Sequence, residues 1–272
     1  MVTYHFRFFF DWIFFVILPL FTRFHMKKIL LYTIAFTLIS LNSIYAQEIV
    51  TVAQFDRVIV SPHVQVTFSK GNKESVTIEN STVSRDKVNI ESNGKTLRVY
   101  LEGAKEVTKN EKANEDENKR KQPLYQGTVL TVSISYKTLH DLSVRGAETI
   151  HLKSKIDQDN FNLVMYGEAE VNIDEVQLKT MHTTSYGESS LTLKSGSIAD
   201  QRFTSYGESK IDALAIKNST STATLYGEAE LRLNVTDQIK VTSFGEAKIG
   251  YKGSPAIKRG LNIGKVNIYQ ID

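Results

Sequence analysis

Two residue types recur in the second half of the chain at a spacing that could build a binding surface. An aromatic residue followed by glycine and glutamate returns five times. The aromatic residues, which we call the aromatic ladder, are Tyr166, Tyr186, Tyr206, Tyr226 and Phe244. The glutamates, which we call the glutamate row, are Glu168, Glu188, Glu208, Glu228 and Glu246. If the copies stack, an exposed aromatic ladder beside carboxylate acceptors suits flat sugar rings or another protein surface.

The same columns also have a purely structural interpretation. A repeat copied by duplication gives identical columns of side chains without a ligand, and their stacking stabilises the repeat. Like charges about 4.8 Å apart on neighbouring strands are unfavourable. The glutamate row therefore needs solvent screening, nearby lysines such as Lys210 and Lys248, or a bound cation. Calcium is disfavoured, because the Gly-Gly-x-Gly-x-Asp pattern is missing and the ion needs roughly six to eight oxygen ligands.

Catalysis has little support in the residues. Paired carboxylates can cleave polysaccharides, so a carbohydrate-active β-helix enzyme is the alternative function. The repeated glutamates are equivalent, however, whereas a catalytic acid and base need different surroundings. The histidines after residue 46 lack metal-ligand spacing, and no nucleophile, phosphate-loop or zinc motif occurs; they are His63, His140, His151 and His182. We predict no catalytic residue, no metal and no cofactor.

The elements that position these residues follow from the spacing of the glycines. Beginning with a degenerate copy at Gly146, successive glycines stand 21, 20, 20, 20 and 18 residues apart. A fixed period near 20 residues indicates a solenoid. Around each aromatic residue, odd offsets carry apolar or small side chains and even offsets carry polar ones, which is the period of a strand. We therefore predict an all-β fold, a parallel β-helix with coils of about 20 residues.

The constant glycine is assigned to a corner between two sheet faces. Only glycine adopts a positive φ there without a penalty from its side chain. A bulge in one continuous strand fits the pattern almost as well.

The regions on either side of the copies depart from the period. Residues 50–103 consist of short alternating strands, and Asn93-Gly94 predicts a hairpin, so this part has antiparallel character. Residues 104–123 are rich in Lys, Glu and Asn, which predicts a solvated, mobile loop inserted between strands. We call this segment the insertion. After Gly250, a turn and an altered register predict a closing element over the open end of the solenoid.

Residues 26–46 have the pattern of a secretory signal peptide. A basic start at Met26 is followed by an apolar run and small residues that end at Ala46. The predicted mature chain is therefore a single β-helix domain, residues 47–272.

Residues 1–25 precede this complete signal. We interpret them as the product of a start assigned too early, with Met26 as the true first residue. The rival interpretation is a membrane anchor in the apolar run 8–21, which is short for a membrane span.

The charge and cysteine content exclude several classes of protein. The chain has 33 basic and 30 acidic residues, and residues 1–46 hold four of the basic ones and one acidic one. Residues 47–272 therefore carry no net charge, which gives no support to nucleic-acid binding. The absence of cysteine excludes disulfides, thiolate metal ligands and a lipidated cysteine.

Several segments of the chain have a familiar pattern: 55–61 with 64–66, 93–99, the glycine corners, and 251–255 with 264–266. In these segments, and over about 50–272 as a whole, the chain resembles the putative auto-transporter adhesin, head GIN domain family. The chain differs in having Tyr-Gly-Glu where the family more often has Gly-Ser-Gly, and in the insertion. The resemblance implies a β-helix and an envelope or surface location, and it supplies no catalytic residues.

These observations predict an exported, non-catalytic β-helix protein of the bacterial cell envelope. Its expected role is adhesion, glycan binding or scaffolding, with an envelope glycan or protein as partner. No nucleic acid and no membrane span of the mature chain are expected. Periplasm, outer surface and extracellular space all remain open as locations.

Overall fold

The computed structural model describes residues 47–112 and 121–271, and these residues form β-strands with one short 3-10 turn at Arg85–Lys87. The predicted signal peptide and the choice between Met1 and Met26 lie outside the described residues. The first nine strands are β1 (Glu48–Thr51), β2 (Arg57–Val60), β3 (Val64–Lys70), β4 (Ser75–Ser81), β5 (Val88–Asn93), β6 (Thr96–Leu101), β7 (Asn110–Lys112), β8 (Lys121–Pro123) and β9 (Leu130–Tyr136). The others are β10 (Asp141–Gly146), β11 (Thr149–Leu152), β12 (Ile156–Gly167), β13 (Glu170–Ile173), β14 (Val176–Tyr186), β15 (Ser189–Leu193), β16 (Gly196–Lys252) and β17 (Ala256–Gln270).

The predicted parallel β-helix is confirmed by the strand register. Strand β14 lies between β12 and β16, and both pairings are parallel. In the second row of strands, Leu191 lies opposite Val171 on one side and Ile211 on the other. Each residue of the repeat therefore has its counterpart one coil along as its neighbour.

The alternation of the strands places the predicted inward positions in the core. Five residues after each aromatic residue the side chain is buried in every coil: Val171, Leu191, Ile211, Leu231 and Ile249. Burying a side chain of this size contributes about 1.5–3 kcal/mol. Seven residues after the aromatic, the side chains are also buried except for Tyr251, which is half-buried.

The interior of the middle coils also contains polar side chains. The amide atoms of Gln201 and Asn218 are buried, and among the described residues they have no hydrogen-bond partner. The hydroxyls of several buried Ser and Thr residues are in the same situation: Thr183, Ser189, Ser205, Ser209, Ser221 and Ser243. The repeat region thus carries unpartnered polar groups in its core, and each such group has a desolvation cost.

The N-terminal part combines parallel stacking with antiparallel edges, as predicted. Strand β2 lies in parallel between β6 and β10, and β3 lies in parallel between β9 and β11. Strands β5 and β6 form the predicted antiparallel hairpin, with Gly94 at a φ of 57°. Strand β4 pairs antiparallel with β1 and β9.

The flanks of the insertion have regular structure. Strands β7 and β8 pair antiparallel, and Ala104 is buried. The Ser61 hydroxyl donates a hydrogen bond to the carbonyl of Lys105 at 2.7 Å, which attaches the start of the insertion to the solenoid. Residues 113–120 lie outside the described residues.

The C-terminal segment differs from the expected closing element. After a turn at 253–255, β17 stacks in parallel on the last part of β16, with one register shift between Val241 and Ser243. It continues the solenoid as a further coil, because its alternation matches that of the coil before it. Its inward residues Ile257, Val266 and Ile268 are only half-buried, so within the described residues this end of the core is not fully covered.

Candidate functional site

The aromatic ladder is one continuous stack on the outside of the solenoid. Successive ring centroids lie 5.0, 5.0, 5.0 and 5.1 Å apart, and neighbouring planes are inclined by only 8°, 5°, 1° and 4°. These separations lie in the range in which aromatic pairs attract each other. The strand register sets the spacing, since Tyr166, Tyr186 and Tyr206 lie directly opposite one another.

The orientation of the rings decides which of their atoms are exposed. Because each ring stacks face to face on the next, the ring faces are covered and the edges point to solvent. The four tyrosines are 36–42% exposed, and Phe244 is half-buried. A flat ligand at the ladder therefore meets ring edges, because the faces of the inner rings are covered by neighbouring rings. Among the described residues, no protein group forms a hydrogen bond with the four tyrosine hydroxyls.

The glycine corners hold the ladder in register. Gly187, Gly207 and Gly227 have φ values of 105°, 119° and 116°, as the corner assignment predicted. A Cβ on Gly207 would lie 2.8 Å from the carbonyl oxygen of Gly187. Any other residue would therefore combine backbone strain with a clash against the preceding coil. In the first coils the strands end near this glycine, whereas β16 runs through it without a break.

The glutamate row lies beside the aromatic ladder and is exposed throughout. A groove of about 400 Å³ runs along the row from Glu188 to Glu246, between these glutamates and the residues two positions further on. Lys210 and Lys248 line the same groove, as do Ser190 and Glu230. The groove thus offers carboxylate acceptors with interspersed ammonium donors. The described residues contain no group of three or more acidic or histidine side chains that could hold a metal ion.

The N-terminal end of the ladder is covered by Arg145. Its guanidinium lies 5.0 Å from the ring centroid of Tyr166, in the position that tyrosine occupies in later copies. Glu106 of the insertion forms ion pairs with both Arg145 and Arg98. Burial, and then the charge of Arg98, lower the pKa of Arg145. The insertion thus contacts, through Glu106, the arginine that covers the end of the ladder.

Sequence reasoning missed these three charged residues. The only signal was that the degenerate copy has Arg145 at the aromatic position. Glu106 and Arg98 lie outside the repeat, and their convergence depends on the path of the insertion.

The C-terminal end of the ladder is more open. Phe244 lies opposite Ile263, and Glu246 lies opposite Lys265, so the last coil changes the chemistry of both columns. The open end therefore carries an apolar and a basic side chain where the coils carry tyrosine and glutamate.

Two of the described histidines, His63 and His151, form side-chain contacts, and their hydrogen-bond partners are different. His63 donates a hydrogen bond through Nδ1 to the carbonyl of Gly127 at 2.7 Å, and its Nε2 lies 2.7 Å from the Thr108 hydroxyl. These contacts join the solenoid to both flanks of the insertion. Glu148, buried 3.8 Å from His63, stands where the other copies have Ala or Ser.

His151 lies in a second group of charged residues, on the outer face after the corner. Its Nε2 is 2.8 Å from Asp174, which also pairs with Lys194 at 2.8 Å. Burial raises the pKa of Asp174, but the hydrogen bonds from Lys194 and His151 outweigh this and leave it below its ordinary value. Such a network suits surface stabilisation.

Comparison with known proteins identifies the family of this chain. The model of the family described as "Putative auto-transporter adhesin, head GIN domain" matches residues 54–255. The chain belongs to this family. No curated protein matches the chain.

Solved structures share the fold of this family member. The crystal structure of a putative adhesin from Bacteroides fragilis NCTC 9343 is 19% identical, with a TM-score of 0.68, and the match covers 83% of this chain and 96% of that one. A putative adhesin from Parabacteroides merdae ATCC 43184 is 16% identical, with a TM-score of 0.60, over 85% and 98% of the two chains. A putative lipid binding protein from Parabacteroides distasonis ATCC 8503 is 18% identical, with a TM-score of 0.55, over 83% and 96%.

The described part of the chain contains no helix with the length and apolar character needed to cross a membrane.

Proposed function

We propose that this head GIN domain protein is an exported, non-catalytic β-helix protein of the bacterial cell envelope, and that it adheres to an envelope glycan or protein through the aromatic ladder and the glutamate row. The observation that carries the proposal is the unbroken stack of five aromatic side chains, four of them exposed, beside a groove. A rigid solenoid presents such a surface at little entropic cost.

Three further observations support the proposal. The family and its solved relatives are named as putative adhesins. The signal peptide predicted at 26–46 is consistent with export. The glutamates of the groove repeat in equivalent positions, which suits a binding surface better than an acid–base pair.

Binding can be tested with a variant that removes three aromatic side chains from the ladder. Replacing Tyr186, Tyr206 and Tyr226 with Ser should abolish binding to a glycan array and to envelope extracts, because both the rings and their hydroxyls are lost. The matched control is Gln177→Ser with Lys217→Ser, which changes exposed positions of the same coils away from the ladder. Unchanged binding by the triple variant, with thermal unfolding like that of the wild type, would contradict the proposed surface.

Export can be tested separately by N-terminal sequencing of the protein recovered from the cell envelope. The expected first residue is Gln47. Recovery of the uncleaved chain from the cytoplasm alone would refute the export part of the proposal.

A further inference from the structure

The polar groups that the aromatic ladder offers to a ligand are the hydroxyls of its tyrosines. Stacking covers both faces of the inner rings, and Arg145 covers the outer face of Tyr166. A ligand lying along the ladder therefore meets ring edges and four phenolic hydroxyls. Because these hydroxyls have no protein partner in the described residues, each can donate or accept a hydrogen bond from a ligand.

The repeat of the ladder restricts what can lie along it. Equivalent groups recur every 5.0 Å, so a polymer that bonds to every rung must repeat at nearly the same distance. An extended peptide presents same-face side chains about every 6.6–6.8 Å, so it loses register within two or three coils. One hexose unit of an extended β-1,4-linked polysaccharide is close in length to the spacing of the ladder. Successive units are flipped, but each has hydroxyls on both edges, so every unit can meet one tyrosine.

The charges restrict the ligand further. The groove beside the ladder is lined by five glutamates and two lysines, so its net charge is negative, and its carboxylates accept hydrogen bonds but repel anions. This disfavours polymers of uronic acids and nucleic acids. A neutral polysaccharide supplies hydroxyl donors for the carboxylates and acceptors for the phenols.

We propose that the ladder and the glutamate row bind a neutral, extended β-linked polysaccharide parallel to the solenoid axis, with one hexose unit per coil and contact through hydrogen bonds to the phenolic hydroxyls. This inference rests on the proposed function and specifies its ligand. It also explains why the rings can stack on one another and still serve recognition.

The chain itself offers the variant that separates hydroxyl contact from ring contact. The Phe244 ring stacks on the Tyr226 ring with centroids 5.1 Å apart and planes inclined by 4°. A phenylalanine can therefore occupy a position in the ladder without disturbing the stack. Replacing Tyr186, Tyr206 and Tyr226 with Phe should keep the rings in place and remove three hydroxyls. Phe244→Tyr should add one hydroxyl to the row of phenolic hydroxyls along the ladder.

The test is isothermal titration of the purified protein with β-1,4- and β-1,3-linked gluco-oligosaccharides of two to six units, with the α-1,4-linked series for comparison. We expect affinity for a β-linked series to rise with each unit up to four or five and then to level off. Each hydroxyl should change the dissociation constant by about two- to twelvefold. The triple Phe variant should therefore lose at least about tenfold in affinity, and Phe244→Tyr should gain.

The other outcomes separate this inference from the proposed function. Retained glycan binding by the triple Phe variant, together with loss in the triple Ser variant, would overturn hydroxyl recognition and leave the ladder as the binding surface. Binding only to α-linked or acidic glycans, or no dependence on chain length, would also overturn the inference. If no glycan binds, and sedimentation shows a dimer that the triple Phe variant abolishes, a second copy of the chain covers the ladder and the inference is wrong.

Discussion

The N-terminal region, residues 48–101, and the repeat region, residues 156–252, build the same kind of parallel stack from different sequence information. In the N-terminal region Val58 lies between Leu97 and Leu142, which are unequal distances away in the sequence. In the repeat region, Leu191 lies between its own counterparts, Val171 and Ile211. Parallel stacking therefore does not require a repeated sequence, but only the repeat makes the neighbours readable from the sequence.

The structural role of glycine also differs between the two regions. Gly94 and Gly207 both have a positive φ, at 57° and 119°. A Cβ on Gly94 would meet nothing within 4 Å, whereas one on Gly207 would meet the backbone of Gly187. The hairpin glycine satisfies a local conformation, and the corner glycine also allows two coils to approach each other.

The largest expected effect compares these two glycines. Gly207→Ala should destabilise the protein by about 1–3 kcal/mol through backbone strain alone, with a further loss from the clash. Gly94→Asn should cost less than about 1 kcal/mol, because asparagine tolerates the left-handed region. Urea unfolding of both variants measures the difference, and equal losses would show that contact between coils adds nothing.

A second comparison concerns the polar core of the repeat region. Gln201 is buried and has no hydrogen-bond partner in the described part of the chain, and Met181 occupies the equivalent position one coil earlier. Gln201→Met should stabilise the protein by about 1–3 kcal/mol, because it removes an unsatisfied polar group. The reciprocal change, Met181→Gln, should destabilise it by a similar amount. Loss of stability in Gln201→Met, measured by urea unfolding, would mean that the amide is satisfied in solution.

A third comparison sets a buried tyrosine of β9 against an exposed tyrosine of the repeat region. Tyr136 is only 2% exposed, and burial raises its pKa from 10.0 to about 12. Since the folded pKa lies above the unfolded one, the stability from neutral Tyr136 is complete below pH 10 and is lost as the pH rises through about 12.

Tyr136→Phe should therefore shift alkaline unfolding, followed by circular dichroism, to higher pH. The exposed ladder residue Tyr206 is the control, and Tyr206→Phe should leave the midpoint unchanged. Equal shifts in the two variants would contradict the assigned role of burial.

The smallest expected effect compares carboxylates. In the N-terminal region Glu91 accepts hydrogen bonds from Tyr100 and Lys105, which lower its pKa. In the repeat region Glu208 lies among like charges. Glu208→Gln should raise stability by a few tenths to about 1 kcal/mol at low salt, whereas Glu91→Gln should lower it. Thermal unfolding at two salt concentrations measures both changes, and a gain for Glu208→Gln that persists in high salt would argue against repulsion.

The columns of the repeat could be predicted because the side-chain period of a strand is two and the coil length is almost constant. The strand period places Leu191 inside and Tyr186 outside. The constant coil length stacks each of them on the equivalent residue of the next coil. The ion pairs of Glu106 could not be predicted, because they depend on how the insertion folds back onto Arg98 and Arg145. The closing element was predicted from an altered register, yet β17 stacks as another coil because its alternation still matches β16.

The sequence by itself determined the solenoid, its glycine corners and the identity of the residues in each outward column, because these follow from spacing and backbone geometry. Only the tertiary structure decided that the rings stack on one another and that Arg145, paired with Glu106, covers one end of the ladder. Ring orientation depends on side-chain torsions that are set by neighbours in adjacent coils, and such contacts exist only once the coils have stacked.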